Sequence, residues 1–462
     1  MNSPRNSFTA PIPSLKGGLP LFGHALEFWR DPVSLIQHGR DRHGDVFAFQ
    51  LFGRTMNVFT GIGGATAVLK SPDTVLSARD AYRFTVPIFG RGIAYDAPPE
   101  LMDQQLSMIH PALRDERMQR YGEFIAAEVA DHVEIWGDSG EVDLLETMNE
   151  ITIRSAGRCL IGANFGTSLA SRFAALYHDL QGGINMVAFF APGFPTLANR
   201  RRDRARRELV ELMAPLIAQR RASGRRCDDF LDTLITSRSA DGMDLNDDTI
   251  TGLLLTLLFA GQHTSAVLAT WTGLLLLQSP RHLAPVLAEQ TEVLASEGMT
   301  LAALKQLIRL ERCIKEAERM HPPLTILIRK VLKDFEFGAH RVPAGEYVIV
   351  SPAVSHRNPE IFADPCRYDP DRFAVPREED RRTPNALIGF GGGKHRCIGL
   401  AFAYQQIKVI WSVLLQRYSF ELVDKVQGPD YTTFVVGPRQ PCRVRYSCRV
   451  SSRQTASAAF VS

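Results

Sequence analysis

Apolar and polar positions alternate along residues 45–60, interrupted at Phe52-Gly53-Arg54, and this pattern predicts a two-stranded hairpin. A second β patch is predicted over 335–351, broken at Pro343-Ala344-Gly345. Between them apolar positions recur at helical spacing, which predicts helices over 118–136, 151–160, 200–220, 247–278 and 301–320. The expected fold class is mainly α with minor β. Residues 250–277 are long and apolar enough to suggest a membrane span, yet Gly261-Gln262-His263-Thr264-Ser265 sits at the centre of the run. Burying that many polar groups in mid-bilayer is costly, so a helix through a protein core is the better expectation.

Composition adds bounds rather than identity. With 45% hydrophobic and 22% charged residues in a chain of 462, a large core is within reach. No linker or charge block separates one core from another, so a single domain is expected over 15–450, with flexible segments at 1–14 and 451–462. A net charge of +3 is too weak to argue for nucleic acid. The run Asn199-Arg200-Arg201-Arg202-Asp203-Arg204-Ala205-Arg206-Arg207-Glu208 reads as a solvated helix face. Seven cysteines, spread singly and odd in number, fit a reducing compartment. No charged-then-apolar leader precedes Leu15, so the expectation is a soluble cytoplasmic protein without an integral anchor, peripheral membrane contact being one way to collect an apolar substrate.

The sharpest chemical feature is Phe390-Gly391-Gly392-Gly393-Lys394-His395-Arg396-Cys397-Ile398-Gly399, followed by a helical pattern from Leu400. Successive glycines let a loop approach a flat, bulky partner, and a cysteine just before a helix is in a field that favours the thiolate. A phosphate loop is disfavoured because no Ser or Thr follows the lysine; a structural cysteine in a glycine turn stays open. A second feature is Glu316 and Arg319, three apart in Lys315-Glu316-Ala317-Glu318-Arg319 and therefore on one helix face. By spacing alone they are an everyday surface pair. A third is the polar break at 260–265, where Thr264 can bond back to a carbonyl one turn earlier and bend the helix.

The cysteine loop resembles the haem loop of the cytochrome P-450 family at every fixed position, with His395 where the family has Arg or His. The resemblance implies the P-450 fold, with haem b (iron protoporphyrin IX) between a long distal helix and a proximal Cys loop. Cys397 would be the axial iron ligand, with Phe390, Gly391, His395 and Gly399 as its haem-binding neighbours, and its thiolate would favour cleavage of the O–O bond. Arg372, in Tyr368-Asp369-Pro370-Asp371-Arg372-Phe373, would join Glu316 and Arg319 in a buried network with a structural role. Thr264 would help deliver protons. His263 stands where many members have a carboxylate, and is read as a proton relay against the alternative of a hydrogen-bonded core histidine.

Ala260-Gly261-Gln262-His263-Thr264-Ser265 and the segment 82–96 resemble the sterol 14α-demethylases in particular. Taken alone, 82–96 is a packed loop. The resemblance makes Phe84, Ile88 and Phe89 cavity-wall residues together with Ala260, Leu327, Ile328, Phe434 and Val435, and makes Tyr82 and Arg329 partners of the haem propionates. The pocket would suit a rigid apolar molecule. Three departures reshape this picture. Gln104-Gln105-Leu106-Ser107-Met108-Ile109 lacks the basic propionate ligand common in that group, leaving His110 or Arg114 to substitute. Phe434 replaces a slimmer Met, and Val86 a common Thr.

The implied activity is O2-dependent oxidation of a sterol or triterpenoid, with 14α-demethylation foremost. Single-step hydroxylation of another steroid, terpenoid or polyketide is the enzymatic alternative, and a haem-based ligand sensor the non-enzymatic one. No flavin or iron–sulfur motif is present, so electrons from NAD(P)H would arrive through a ferredoxin or flavodoxin-type donor and its reductase. Arg114, Arg117, Arg120, Lys394, Arg396 and Lys408 could steer such a donor, or be ordinary solvated cations.

Overall fold

A computed structural model of the protein describes residues 11–162, 167–184, 188–189, 191–224, 227, 229–238 and 242–449. The chain sorts into two compact units, and both draw on distant parts of the sequence.

The first unit comprises Met1–Tyr82, Glu318–Cys397 and Tyr431–Val436. Its centre is a five-stranded sheet in the order Val46–Leu51, Arg54–Phe59, Tyr347–Val350, Leu327–Val331, Leu76–Ser77. The expected hairpin forms in register Val46↔Phe59 to Leu51↔Arg54. Its two turn residues, Phe52 and Gly53, both have positive φ, of 48° and 72°, the backbone that suits the twist of a two-residue hairpin. The 335–351 patch divides into Phe335–Phe337, His340–Val342 and Tyr347–Val350, with a turn at Gly338 in addition to the expected break. Phe59, Val68, Leu69, Val348, Val350 and Ile388 bury one face of this sheet. At the N-terminal edge the described end of the 1–14 segment pairs with this sheet: Ala48 donates to the Pro13 carbonyl and Leu15 donates to the Ala48 carbonyl, both at 2.8 Å. Two unpaired backbone groups on an edge strand are reason enough for this pairing. Residues 1–10 and the tail 451–462 lie outside the described residues.

The second unit comprises Arg83–Ala317, Ile398–Asp430 and Gly437–Ser462. It is helical, with one small sheet ordered Ser139–Asp143, Arg443–Cys448, Tyr418–Leu422. The apolar run becomes the 31-residue helix Asp247–Leu277, capped by Asn246, whose side chain accepts from Thr249 N–H. It is long and apolar enough to cross a membrane, but most of it is buried among the other helices. Leu144–Ile161 and Leu400–Arg417 pack along it. Trp411 donates its indole N–H to the Ala269 carbonyl at 2.9 Å, and a Cβ at Gly273 would collide with that ring, so glycine is required there.

The single helix expected over 301–320 is instead two, Leu301–Gln306 and Ile308–Met320. The apolar period runs through the break because Leu307 is itself fully buried. The break is stabilised from a distance: Glu289 accepts from the Arg309 N–H through both carboxylate oxygens, at 2.9 and 3.0 Å, satisfying donors that a new helix start leaves open. The arginine run lies on Leu197–Ser223. Arg200, Arg201, Arg204 and Arg207 are exposed as expected, but Arg202 and Arg206 are buried, which corrects the reading of a uniformly solvated face.

Candidate functional site

In the first unit the glycine loop is closed at its neck. Cys397 N–H donates to the Phe390 carbonyl at 2.8 Å, and Gly391 N–H to the Ile388 carbonyl at 2.9 Å. Gly391 and Gly393 have φ of 71° and 62°, and a Cβ on Gly393 would meet the Leu69 carbonyl. The pinched neck leaves the Cys397 side chain exposed rather than packed, which argues against the structural-cysteine alternative.

Behind the loop stands a set of buried polar groups. Ile388 N–H donates to His356 Nε2 at 2.8 Å, so the ring proton is on Nδ1, 3.2 Å from the Arg319 carbonyl. Arg319 returns a bond from Nη1 to the His356 carbonyl at 3.0 Å and stacks over Phe362. Arg372 donates to Glu379 at 2.7 Å and to the Ala363 carbonyl at 2.8 Å. Arg319 and Arg372 share an acceptor, the Arg367 carbonyl, at 3.5 and 3.1 Å. Both are fully buried, and so is Glu316 on the helix Ile308–Met320. Nothing in sequence spacing pointed to His356 or Glu379.

This arrangement makes the loop's support acid-sensitive. Burial, reinforced by the Arg319 charge, pushes His356 down to about 3, and burial does the same to His321. A folded-state pKa below the unfolded one means stability is complete above about pH 6.5 and falls away as pH drops toward 3. Each group is expected to remove roughly 1 kcal/mol per pH unit below that point. Urea unfolding at pH 7 and pH 5.5 measures the slope, which His356→Gln should flatten.

Arg329, expected at a propionate, is buried and donates from Nη1 to the Ile328 carbonyl at 2.9 Å. The hydroxyl oxygen of Tyr82 accepts from Ile328 N–H at 3.3 Å, so both side chains are placed by the same strand residue. His395 Nε2 is 2.5 Å from the Asp73 carboxylate. Burial outweighs Asp73 and, with the Arg329 charge, holds the His395 pKa below its ordinary value. Leu327 and Ile328 are half-buried, Val435 is buried, and Phe434 is 41% exposed. Val436 N–H anchors their segment to the Pro323 carbonyl at 2.8 Å.

In the second unit the helix Asp247–Leu277 is buried along both flanks but opens at its middle. Ala260 is exposed, and Gly261, His263 and Thr264 are partly so. Thr264 makes the expected back-bond to the Ala260 carbonyl, at 2.5 Å. His263 Nδ1 lies 3.3 Å from Gln262 Oε1 and 3.5 Å from Gln181 Nε2, while Gln262 donates to Asn149 at 3.1 Å. Burial, then the charge of His178, lowers the His263 pKa, so the ring is neutral at pH 7 and can both accept and donate a proton. Gln181 could not have been found from sequence, since 82 residues separate it from His263.

Several expected residues are deeply buried. Ile88 is 0% exposed and Phe84 and Phe89 are 2% and 4%, with Phe89 edge-on to Phe259 and Phe84 tilted against Phe189. All three side chains are buried, Ile88 and Phe89 within the hydrophobic core of the second unit. The 82–96 segment is not an irregular loop but a series of helical turns, including Arg83–Thr85, Val86–Phe89 and Ala94–Asp96. Gln105 is buried and accounts for itself: it donates to the Gly92 carbonyl at 2.6 Å and accepts from Ala94 N–H at 3.0 Å. Lys408 is not a steering cation, because it is buried and bonded to Glu311 at 2.7 Å and to the Leu304 carbonyl at 2.8 Å. Arg117 is half-buried and donates to the Asp229 carbonyl; Arg114, Arg120, Lys394 and Arg396 are exposed.

The first unit's donor set fits a haem: an exposed sulfur on a glycine loop permits close approach to a flat group, and a buried arginine, a histidine and a tyrosine hydroxyl suit carboxylates. Comparison with known proteins agrees. The cytochrome P450 family profile matches residues 13–444. An obtusifoliol 14-alpha demethylase of Triticum aestivum is 38% identical over 95% of this chain and 98% of its own length. A sterol 14alpha-demethylase of Mycobacterium tuberculosis is 39% identical over 95% and 98%, and a lanosterol 14-alpha demethylase of Bos taurus 35% over 95% and 88%. The solved structure of the retinoic acid bound cyanobacterial CYP120A1 has a TM-score of 0.83 at 22% identity, covering 96% of this chain and 100% of that one. With its mainly α architecture, its cysteine loop and a match spanning nearly its whole length, the chain belongs to the cytochrome P450 family of haem-thiolate monooxygenases.

Proposed function

We propose that this monooxygenase demethylates a sterol or triterpenoid at the 14α position. The observation that carries the reading is the identity of 35–39% to sterol and obtusifoliol demethylases along 95% of the chain. Cys397 would hold the iron, Arg329, Tyr82 and His395 the propionates, and Phe390, Gly391 and Gly399 the surrounding loop. When bound, the haem supplies dioxygen activation, with electrons from a separate ferredoxin or flavodoxin-type donor and ultimately NAD(P)H. The chain's own part is to hold and move protons. The Thr264 hydroxyl donates to the Ala260 carbonyl and would accept a hydrogen bond on its oxygen, holding a proton donor in place, and neutral His263, oriented by Gln262 and Gln181, would pass protons from the helix's polar side.

Formate release from a 14α-methyl sterol in a reconstituted reaction tests the proposal. Half-exposed Phe434, bulky where a slimmer residue is common, favours one second reading: a reshaped cavity that oxidises another polycyclic substrate once, leaving only the alcohol. For either substrate Thr264→Ala is expected to lower product formation by about tenfold or more while oxygen consumption continues. The measurement is the ratio of product to O2 consumed, and an unchanged ratio removes Thr264 from the proton path. Exposed Lys394 and Arg396 in one unit, and Arg114 and Arg120 in the other, are proposed to attract an acidic donor.

A further inference from the structure

Of the two buried arginines in the run 199–208, Arg202 is engaged by its own neighbourhood, bonding Asp203, Asn199 and the Pro192 carbonyl. Arg206 is different. A single nitrogen, Nη2, makes all of its described bonds: 3.2 Å to the Phe89 carbonyl, 3.3 Å to the Asp248 carbonyl and 3.0 Å to the Asp248 carboxylate. Its Nε and Nη1 are buried and lack a hydrogen-bond partner among the described residues. Its counter-ion is lopsided too, for the Asp248 side chain is 61% exposed against 10% for Arg206.

Such a site is poorly chosen for stability. A guanidinium out of water with two idle donors and one solvated partner recovers little of its desolvation cost. What it does achieve is connection. One atom joins the turn Val86–Phe89, the helix Leu197–Ser223 and the first turn of Asp247–Leu277. The neighbouring backbone is shaped for this meeting. Gly90 leaves the turn at φ 109°, and a Cβ on Gly252 would strike the Phe89 carbonyl, so that carbonyl lies against bare helix backbone. Side chains from two other elements thus tie down this segment: Gln105 at Gly92 and Ala94, and Arg206 at Phe89. The apolar contacts of Ile88 and Phe89 are strong but non-directional, and allow sliding that the Arg206 bonds forbid.

We propose that Arg206 is a latch on residues 86–96 that sets how fast bulky ligands enter and leave the substrate cavity. It is a positioning residue, and the proposal rests on the reading that this segment borders the substrate. Because Asp248 is already half in water, the latch opens by releasing its counter-ion to solvent, and three bonds on one nitrogen part together.

The test uses the haem-loaded enzyme and two iron-binding probes, imidazole and the bulky clotrimazole, followed by stopped-flow absorbance. In Arg206→Met both association and dissociation of clotrimazole should rise by about tenfold with Kd nearly unchanged, while imidazole rates stay as in the wild type. Amide hydrogen exchange over residues 89–97 should quicken, and exchange in the strand Arg54–Phe59 should not. Asp248→Asn, an exposed change that does not threaten folding, should shift the same rates by roughly threefold. Unchanged clotrimazole rates in Asp248→Asn together with unchanged exchange at 89–97 overturn the latch, whether or not Arg206→Met retains haem. If sterols fail to bind but the clotrimazole rates still rise, the latch stands and the sterol reading falls.

Discussion

Replacement of Cys397 by alanine is expected to abolish monooxygenation, a loss of roughly 10³-fold or more, while leaving the chain folded. The two halves of this expectation have separate grounds. The side chain is exposed, so its truncation opens no cavity in the protein core. The loop's shape is set by backbone bonds from Cys397 to Phe390 and from Gly391 to Ile388, which alanine keeps. What would disappear is the sulfur proposed to hold the iron, and with it the electron density that a thiolate would supply to a bound haem. The reduced, carbon-monoxide-bound spectrum is the measurement. A thiolate-type Soret band that survived in Cys397→Ala would displace this residue from the iron.

Arg372→Leu should be the most destabilising single change in the loop's support. The guanidinium is fully buried and satisfies Glu379 together with the carbonyls of Ala363, Asp364 and Arg367. Burial opposes the Glu379 charge, but the bonds from Arg377 and Arg372 outweigh it and hold its pKa below the usual carboxylate range. Leucine would leave that buried carboxylate with only Arg377 and the Ala363 N–H among its described partners, at a cost of about 3–5 kcal/mol. Against a total stability of about 5–15 kcal/mol this is a large fraction. Urea midpoints and haem retention report it. Glu379→Gln keeps an acceptor and the shape, and should cost distinctly less, about 1–3 kcal/mol. Equal losses in the two variants would show that the pair's charge does not matter.

The contrast between these residues shows where sequence reading reaches its limit. The cysteine loop was legible because its chemistry is contiguous: the glycines, the sulfur and the following helix occupy one short stretch. The polar break at Thr264 was legible for the same reason, and its back-bond to Ala260 needs only helical geometry. Arg372 could be proposed from its motif, whereas Glu379 and His356 could not, because an ordinary acid and an ordinary histidine carry no local mark of burial. Lys408 was assigned a surface it does not have, since periodicity tells which residues share a face but not what covers it. The helix over 301–320 failed similarly: a buried Leu307 keeps the apolar rhythm while Glu289 caps a break that the rhythm conceals.

By itself, then, the sequence determined the class of element along most of the chain, the cysteine loop in which a thiolate ligand is proposed and the family of chemistry, because each is written in local pattern. Only the tertiary structure decided that Asp73 meets His395, that Gln181 reaches His263 across 82 residues and that Arg206 holds the Phe89 carbonyl. These pairings depend on packing between elements far apart in the chain, where burial turns common polar residues into partners and makes leaving one unmatched costly.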